Sequence, residues 1–258
     1  MTSRASLDTL RASLRPLLDE RSPADALACY YALHHPPDRT ELFVHHDDAG
    51  AAEATHRASP PGGETGPVIG FLVRARTGLD LFRPLVTFRA DSDAAARSLF
   101  RDGLVAGRPA YLTVPAKLGQ WASRYLKVTD AELHRLYRLN PQRYQPQINV
   151  LVVSSASPDG LPRCEIRSGE KTSAVAGVNW QSPAFAEVYV YTDPAARGRG
   201  WGRAVVEALS GLILGTGRMP LYVVAESNTY SIRLAEAVGF EDTGFREYVG
   251  QAVRGSDT

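Results

Sequence analysis

The chain has 258 residues, 44% hydrophobic and 22% charged, and its 29 Lys and Arg against 28 Asp and Glu leave a formal net charge of +1. Such a length fits one large domain or two smaller ones, and such a balance excludes a general electrostatic pull on nucleic acid or membrane, so binding has to come from local sites. Only Cys29 and Cys164 occur, which excludes a cysteine-built metal framework and fits a reducing compartment, read here as the cytoplasm.

The first residues carry polar side chains throughout a helical pattern, and the chain has no run of 18 apolar residues, so neither a signal peptide nor a spanning helix is expected. Leu7, Leu10, Leu14, Leu17 and Leu18 recur at helical spacing, although Pro16 should kink or end the segment. Ser22-Pro23 starts a second helix through about Tyr31. Glu41 to His46 and Val68 to Arg76 read as strands, joined by a long, mobile hairpin loop from Ala49 to Pro67. A strand at Pro84 to Ala90 leads to a helix capped by Asp91 or Ser92. A strand at Ala110 to Val114 and a short helix from Leu118 to about Leu126 follow. Glu132 to Leu139 fits helix or strand.

After the polar break Asn140 to Gln147, strands are expected at Ile148 to Ser154, Pro162 to Arg167, Lys171 to Trp180 and from about Ala184. A helix carrying Val205, Val206, Leu209, Leu212 and Ile213 stops at Gly215 and Gly217. A strand at Leu221 to Ala225, a helix from Asn228 to Gly239 and a last β segment from Phe240 to about Val253 complete the chain. The order hairpin, strand, helix, strand, helix, strand thus occurs twice. It implies a duplicated unit, with Glu132 to Leu139 standing as the final strand of the first.

The halves differ at one turn. Val188 to Gly202 reads VYVYTDPAARGRGWG: a strand, a glycine-arginine turn and a helix start. Glycines let backbone amides face a ligand, the helix start leaves several amides unpaired at the positive dipole end, and arginines add charge. The matching turn of the first half, FRADSDAAAR, has Asp91 and Asp93 and no glycine, so only the second half should bind an anion. A Walker A loop needs Lys followed by Ser or Thr, which Trp201 to Arg203 does not supply. Gly198-x-Gly200-x-Gly202 has the wrong spacing for a dinucleotide fingerprint.

Arg197-x-x-Gly200-x-Gly202 after a strand and Pro194, followed by Asn228 and Gly239-Phe240, resembles the GNAT acetyltransferase superfamily from about Ala184 to Val253. The resemblance implies an α+β (mixed α/β) fold of two GNAT-like units: a degenerate N-terminal domain over residues 1–140 and an acetyl-CoA-binding catalytic domain over 148–258. Each would be a mixed, mostly antiparallel twisted sheet flanked by helices, with splayed central strands in the second. Acetyl-CoA would act as co-substrate, without a metal. Its pyrophosphate would lie on the backbone of Arg197, Gly198, Arg199, Gly200, Trp201, Gly202 and Arg203, its pantetheine along Val190, Tyr191 and Thr192, with Asn228 bonding the pantetheine as well as capping its helix.

The resemblance also implies a glutamate base, and Glu187 is the ionisable group on the strand before the turn; a salt-bridged structural carboxylate is the other reading of it. The family usually has a tyrosine seven residues after the matching asparagine, where this chain has Ala235. Ser231, one turn away on the same helix face, is the candidate to donate in its place or to hold a water, with Tyr230 and Tyr248 less well supported because a tyrosine more often packs in the core. The implied reaction is direct transfer of acetyl to a primary amine of a small molecule or peptide. A non-catalytic acyl-CoA-binding module and a different acyl donor remain the alternatives. No nucleic-acid or membrane partner is expected, a homodimer is compatible with the sequence, and the first half would shape the acceptor cleft or the assembly. His34-His35, His45-His46 and His56 lack the spacing of a metal site.

Overall fold

The computed structural model describes residues 6–47, 66–78, 80 and 82–256. The expected hairpin loop at 49–67 lies outside them except for Gly66 and Pro67, as does His56. Among the described residues no helix is long and apolar enough to cross a membrane. The chain forms two compact units, one of Met1–Asp19, Leu27–Glu132 and Glu247–Thr258, the other of Glu20–Ala26 and Leu133–Arg246.

In the first unit α1 (Leu7–Leu14) is capped by the Ser6 hydroxyl and passes at Arg15–Leu17 into a 3-10 turn containing Pro16. The 3-10 turn at Pro23–Asp25 falls in the second unit; α2 (Ala26–Cys29) leads back into the first, where a π-helical turn follows at Tyr30–His34. Strands β1 (Thr40–His46), β2 (Val68–Ala75), β3 (Leu85–Ala90) and β4 (Pro109–Pro115) lie in that order. Pairing is antiparallel, antiparallel, then parallel. The parallel step needs a crossover, which is α3 (Asp93–Gly103), capped by Ser92 through its bond from the Ala95 amide. Ala96, Leu99 and Phe100 of α3 pack on Leu72, Phe88 and Leu112 of the sheet. α4 (Gly119–Tyr125) and β5 (Leu126–Leu139) follow.

The second unit holds β6 (Val153–Ala156), β7 (Pro162–Ser168), β8 (Lys171–Gln181), β9 (Phe185–Thr192), α5 (Trp201–Gly215), β10 (Met219–Ala225), α6 (Thr229–Val238) and the start of β11 (Phe240–Arg254). Its strand order is β6-β7-β8-β9-β10-β5. Only β9 with β10 is parallel, and α5 makes the crossover. The pattern of the first unit is therefore repeated, in the expected fold class.

Two expectations change. Glu132 to Leu139 is strand, but it does not complete the first unit. Residues 134–138 of β5 pair antiparallel with β10, and Tyr137 and Leu139 are buried in the second core. The first unit is completed from the far end of the chain, where residues 247–253 of β11 pair with β4 and Ala252 enters the first core. The compact units accordingly divide at 132/133 rather than at the polar break after residue 140. Ile148 to Ser154 is strand only from Val153, because Asn149 accepts the Leu151 amide through its side chain and the Val152 amide through its carbonyl, a local turn that displaces pairing.

Candidate active site

The site grows from the one parallel pair of the second unit. β9 and β10 are paired from Phe185–Met219 to Val188–Tyr222 and not beyond, although β9 runs on to Thr192 and β10 to Ala225. On their outer sides both remain paired, residues 189–192 with β8 and 221–225 with β5. The facing edges past Val188 and Tyr222 thus open into a wedge whose backbone groups have no partner across the gap, which an extended ligand can pair with. β3 and β4 of the first unit also separate after Val86–Leu112, so the splay expected in the second unit occurs in both.

The glycine-arginine turn follows the end of β9. Asp193 accepts the Ala195 amide and an ion pair from Lys171 at 2.7 Å, which fixes the exit of the chain. Gly198 (φ 78°) and Gly200 (φ 74°) are left-handed, conformations that strain most residues carrying a Cβ. Gly202 serves a different end: a Cβ there would come within 2.7 Å of Thr192 Oγ1, so its absence lets α5 start directly against the end of β9. The first helical bond runs from the Ala204 amide to the Gly200 carbonyl, leaving the amides of Trp201, Gly202 and Arg203 at the positive end of a 15-residue helix.

Arg197 and Arg199 are exposed, the latter with its guanidinium 5.0 Å from the Trp201 ring centroid. Arg203 is engaged along the helix by buried Glu207 at 2.6 Å, so its amide faces the helix start while its charge is already paired. In contrast, Asp93 opens α3 in the first unit and is held by Arg124 and Tyr125. A carboxylate there opposes a second anion.

Val190 and Thr192 face the helices, while Tyr191 is exposed on the other face with Tyr189, which lies across Gly177. Glu187 lies on that face, one residue before the wedge opens. β8 is bulged at Asn179, and the bulge brings two successive residues onto the carboxylate: Asn179 Nδ2 donates to Oε1 at 2.6 Å and Trp180 Nε1 donates to Oε2 at 2.7 Å. Burial pushes the Glu187 carboxyl above the ordinary range, and the two donors and the nearby His134 only partly offset it. The result is a fixed carboxylate, more basic than a solvated one, with lone pairs left to accept a proton.

Across the strands, Asn228 caps α6 by accepting the Ser231 amide at 3.1 Å. Ser231 is half-buried, and its hydroxyl is 2.6 Å from the Tyr222 phenol. Ala235, with no donor, is fully buried in the cluster that holds Tyr222. Glu187 and the turn at 197–203 thus stand at the two ends of the part of β9 that leaves β10, and Asn228 and Ser231 follow the end of β10. Asn179, Trp180 and Tyr222 were not among the residues singled out for the site from the sequence. The first two depend on a bulge, and Tyr222 reads as an ordinary strand aromatic.

Residues 166–249 match the FR47-like protein family model. No curated protein matches the sequence. Among solved structures, a protein of Drosophila superposes with TM-score 0.61 at 12% identity, over 95% of this chain and 95% of that one. A GNAT-family protein of Novosphingobium aromaticivorans gives 0.56 at 18% identity, over 72% of this chain and 89% of its own. A tandem GNAT protein from the clavulanic acid biosynthesis pathway gives 0.54 at 16%, over 98% and 94%.

Proposed function

We infer that this chain, which has the GNAT fold and an FR47-like segment at residues 166–249, is an N-acetyltransferase moving an acetyl group from acetyl-CoA to a primary amine of a small molecule or peptide. The observation that carries the reading is the wedge between β9 and β10 with the turn at 197–203 at its mouth. The wedge offers unpaired strand edges to an amide-bearing arm, and the turn offers amides, a helix dipole and two exposed arginines to a pyrophosphate. Glu187 would accept the amine proton, directly or through a water, while the Ser231 hydroxyl would meet the departing sulfur. The first unit, with Asp93 where the turn would be, is a degenerate copy that does not bind the cofactor.

Saturating acetyl-CoA or CoA should raise the melting temperature, because a ligand at 100 times its dissociation constant adds about 2.7 kcal/mol. No shift at millimolar ligand overturns the reading. With an amine panel, thiol release should fall by about 10²–10⁴ in Glu187→Gln while CoA still binds. The same variant should not lose stability at pH 7. A carboxyl whose folded pKa is raised makes the fold less stable as pH rises from the ordinary carboxylate range through the folded value, and the amide removes that cost. Binding without thiol release in the parent chain would leave a non-catalytic acyl-CoA-binding module, the reading that Ala235 favours.

A further inference from the structure

We propose that Tyr222 is a positioning residue that directs the Ser231 hydroxyl hydrogen into the wedge, making Ser231 the donor to the sulfur that leaves during acyl transfer. The inference rests on the function proposed above and adds a residue to it.

The geometry is specific. Tyr222 is the last residue of β10 paired with β9, at Val188, so it marks the point where the two strands part. Its ring is buried against Phe240 on the helix side of the sheet, with centroids 5.5 Å apart. From there its oxygen meets Ser231 Oγ at 2.6 Å in the first turn of α6. Either hydroxyl can donate across this contact; in the proposed arrangement the phenol, the stronger acid, donates and Ser231 accepts. Burial holds the phenol protonated, pushing its pKa up, with the Ser231 bond as the opposing influence. Having accepted on one side, the serine must point its own hydrogen elsewhere. Among the described residues, the titratable groups on the elements beside the pair include Tyr137 on β5, whose phenol bonds Glu236 of α6 at 3.4 Å and is in contact with Arg135, and Glu187 on the opposite face of β9.

In the reaction the amine nitrogen forms the new C–N bond, the C–S pair passes to sulfur, and the amine proton goes to Glu187. The sulfur leaves as a thiolate that accepts the Ser231 hydrogen bond and is protonated from solvent on release. No proton has to leave Tyr222, and no phenolate forms in the core. A donor to the thiolate also has an equilibrium consequence: it lowers the pKa of bound CoA from the ordinary thiol value of about 8.5.

The test is the pH dependence of CoA affinity, measured by calorimetry against acetyl-CoA, which has no thiol to titrate. In the parent chain the affinity ratio of CoA to acetyl-CoA should rise about tenfold or more between pH 7 and 9.5, as expected for a hydrogen bond to a charged group. Ser231→Ala should flatten that rise, Tyr222→Phe should reduce it, and the double variant should match Ser231→Ala, since Tyr222 acts only through the serine. Ser231→Thr, which keeps the hydroxyl, should retain it. Tyr222→Phe should leave acetyl-CoA affinity unchanged while kcat falls about tenfold. An equal rise in parent and Ser231→Ala, or additive effects in the double variant, overturns the proposal. Failure of the parent chain to bind either ligand instead overturns the function on which it rests, and the proposal with it.

Discussion

The three glycines of the turn at 198–202 look alike in the sequence, and the structure separates them. A Cβ on Gly200 would meet nothing within 4 Å, so only its left-handed backbone (φ 74°) forbids a side chain. Gly200→Ala should cost about 1–2 kcal/mol, and Gly200→Asn less, because asparagine tolerates that region. A Cβ on Gly202 would instead press on Thr192 Oγ1 at 2.7 Å and Leu234 Cδ1 at 3.1 Å. Gly202→Ala should cost about 1–3 kcal/mol by overpacking, and by moving the helix start off β9 it should also weaken acetyl-CoA binding. Denaturant unfolding and calorimetry measure both effects; undiminished affinity in Gly202→Ala would remove the close-approach account. The turn was legible because φ requirements and charge are written in residue type. The partners of Glu187 were not, since Asn179 and Trp180 reach it only through a bulge that shifts register by one residue.

Elements were readable where caps and breakers are local. Ser92, Asn228 and Gly239 end their helices where composition places them, and Pro16 sits in the 3-10 turn that ends α1. The segment at 148–152 was misread because its β-branched run is overruled by one asparagine turn. The π-helical turn at Tyr30–His34 was likewise invisible in the periodicity. It is fastened by His35, whose Nδ1 lies 2.8 Å from Thr40 Oγ1 at the start of β1 and whose carbonyl accepts from Arg11. Burial first, then Arg39 and Arg11, against the smaller pull of Asp38, lower the His35 pKa from 6.5 to about 4. Between those values the unfolded chain binds the extra proton, so this contribution to stability is full above about pH 6.5 and is lost as pH falls toward 4. Melting temperature should drop across that window by roughly 2–4 °C for each kcal/mol lost, and His35→Gln should drop less. Parallel curves for parent and variant would remove His35 as the cause.

At the scale of the whole molecule the duplication was legible as a repeated order of elements, but strand exchange was not: a strand's pattern of side chains says which face is buried and not which neighbour it pairs with. The consequence is that neither half of the sequence is a complete unit. A fragment of residues 1–140 lacks 247–253 and leaves the β4 edge bare, while a fragment of 141–258 lacks 134–138 beside β10. Each expressed alone should aggregate or lack a cooperative melt, whereas co-expression, or a nick between 141 and 147 in the intact chain, should leave a folded pair; a sharp transition in either isolated fragment would contradict this. The same exchange also sets an order of events during synthesis. The partner of β4 lies about 130 residues downstream of it, which at 5–20 residues per second is a delay of roughly 7–26 s on the ribosome. For that interval the nascent first unit has an open sheet edge, so chaperone contact and the pace of translation should bear on the yield of native protein until the final strand has left the exit tunnel.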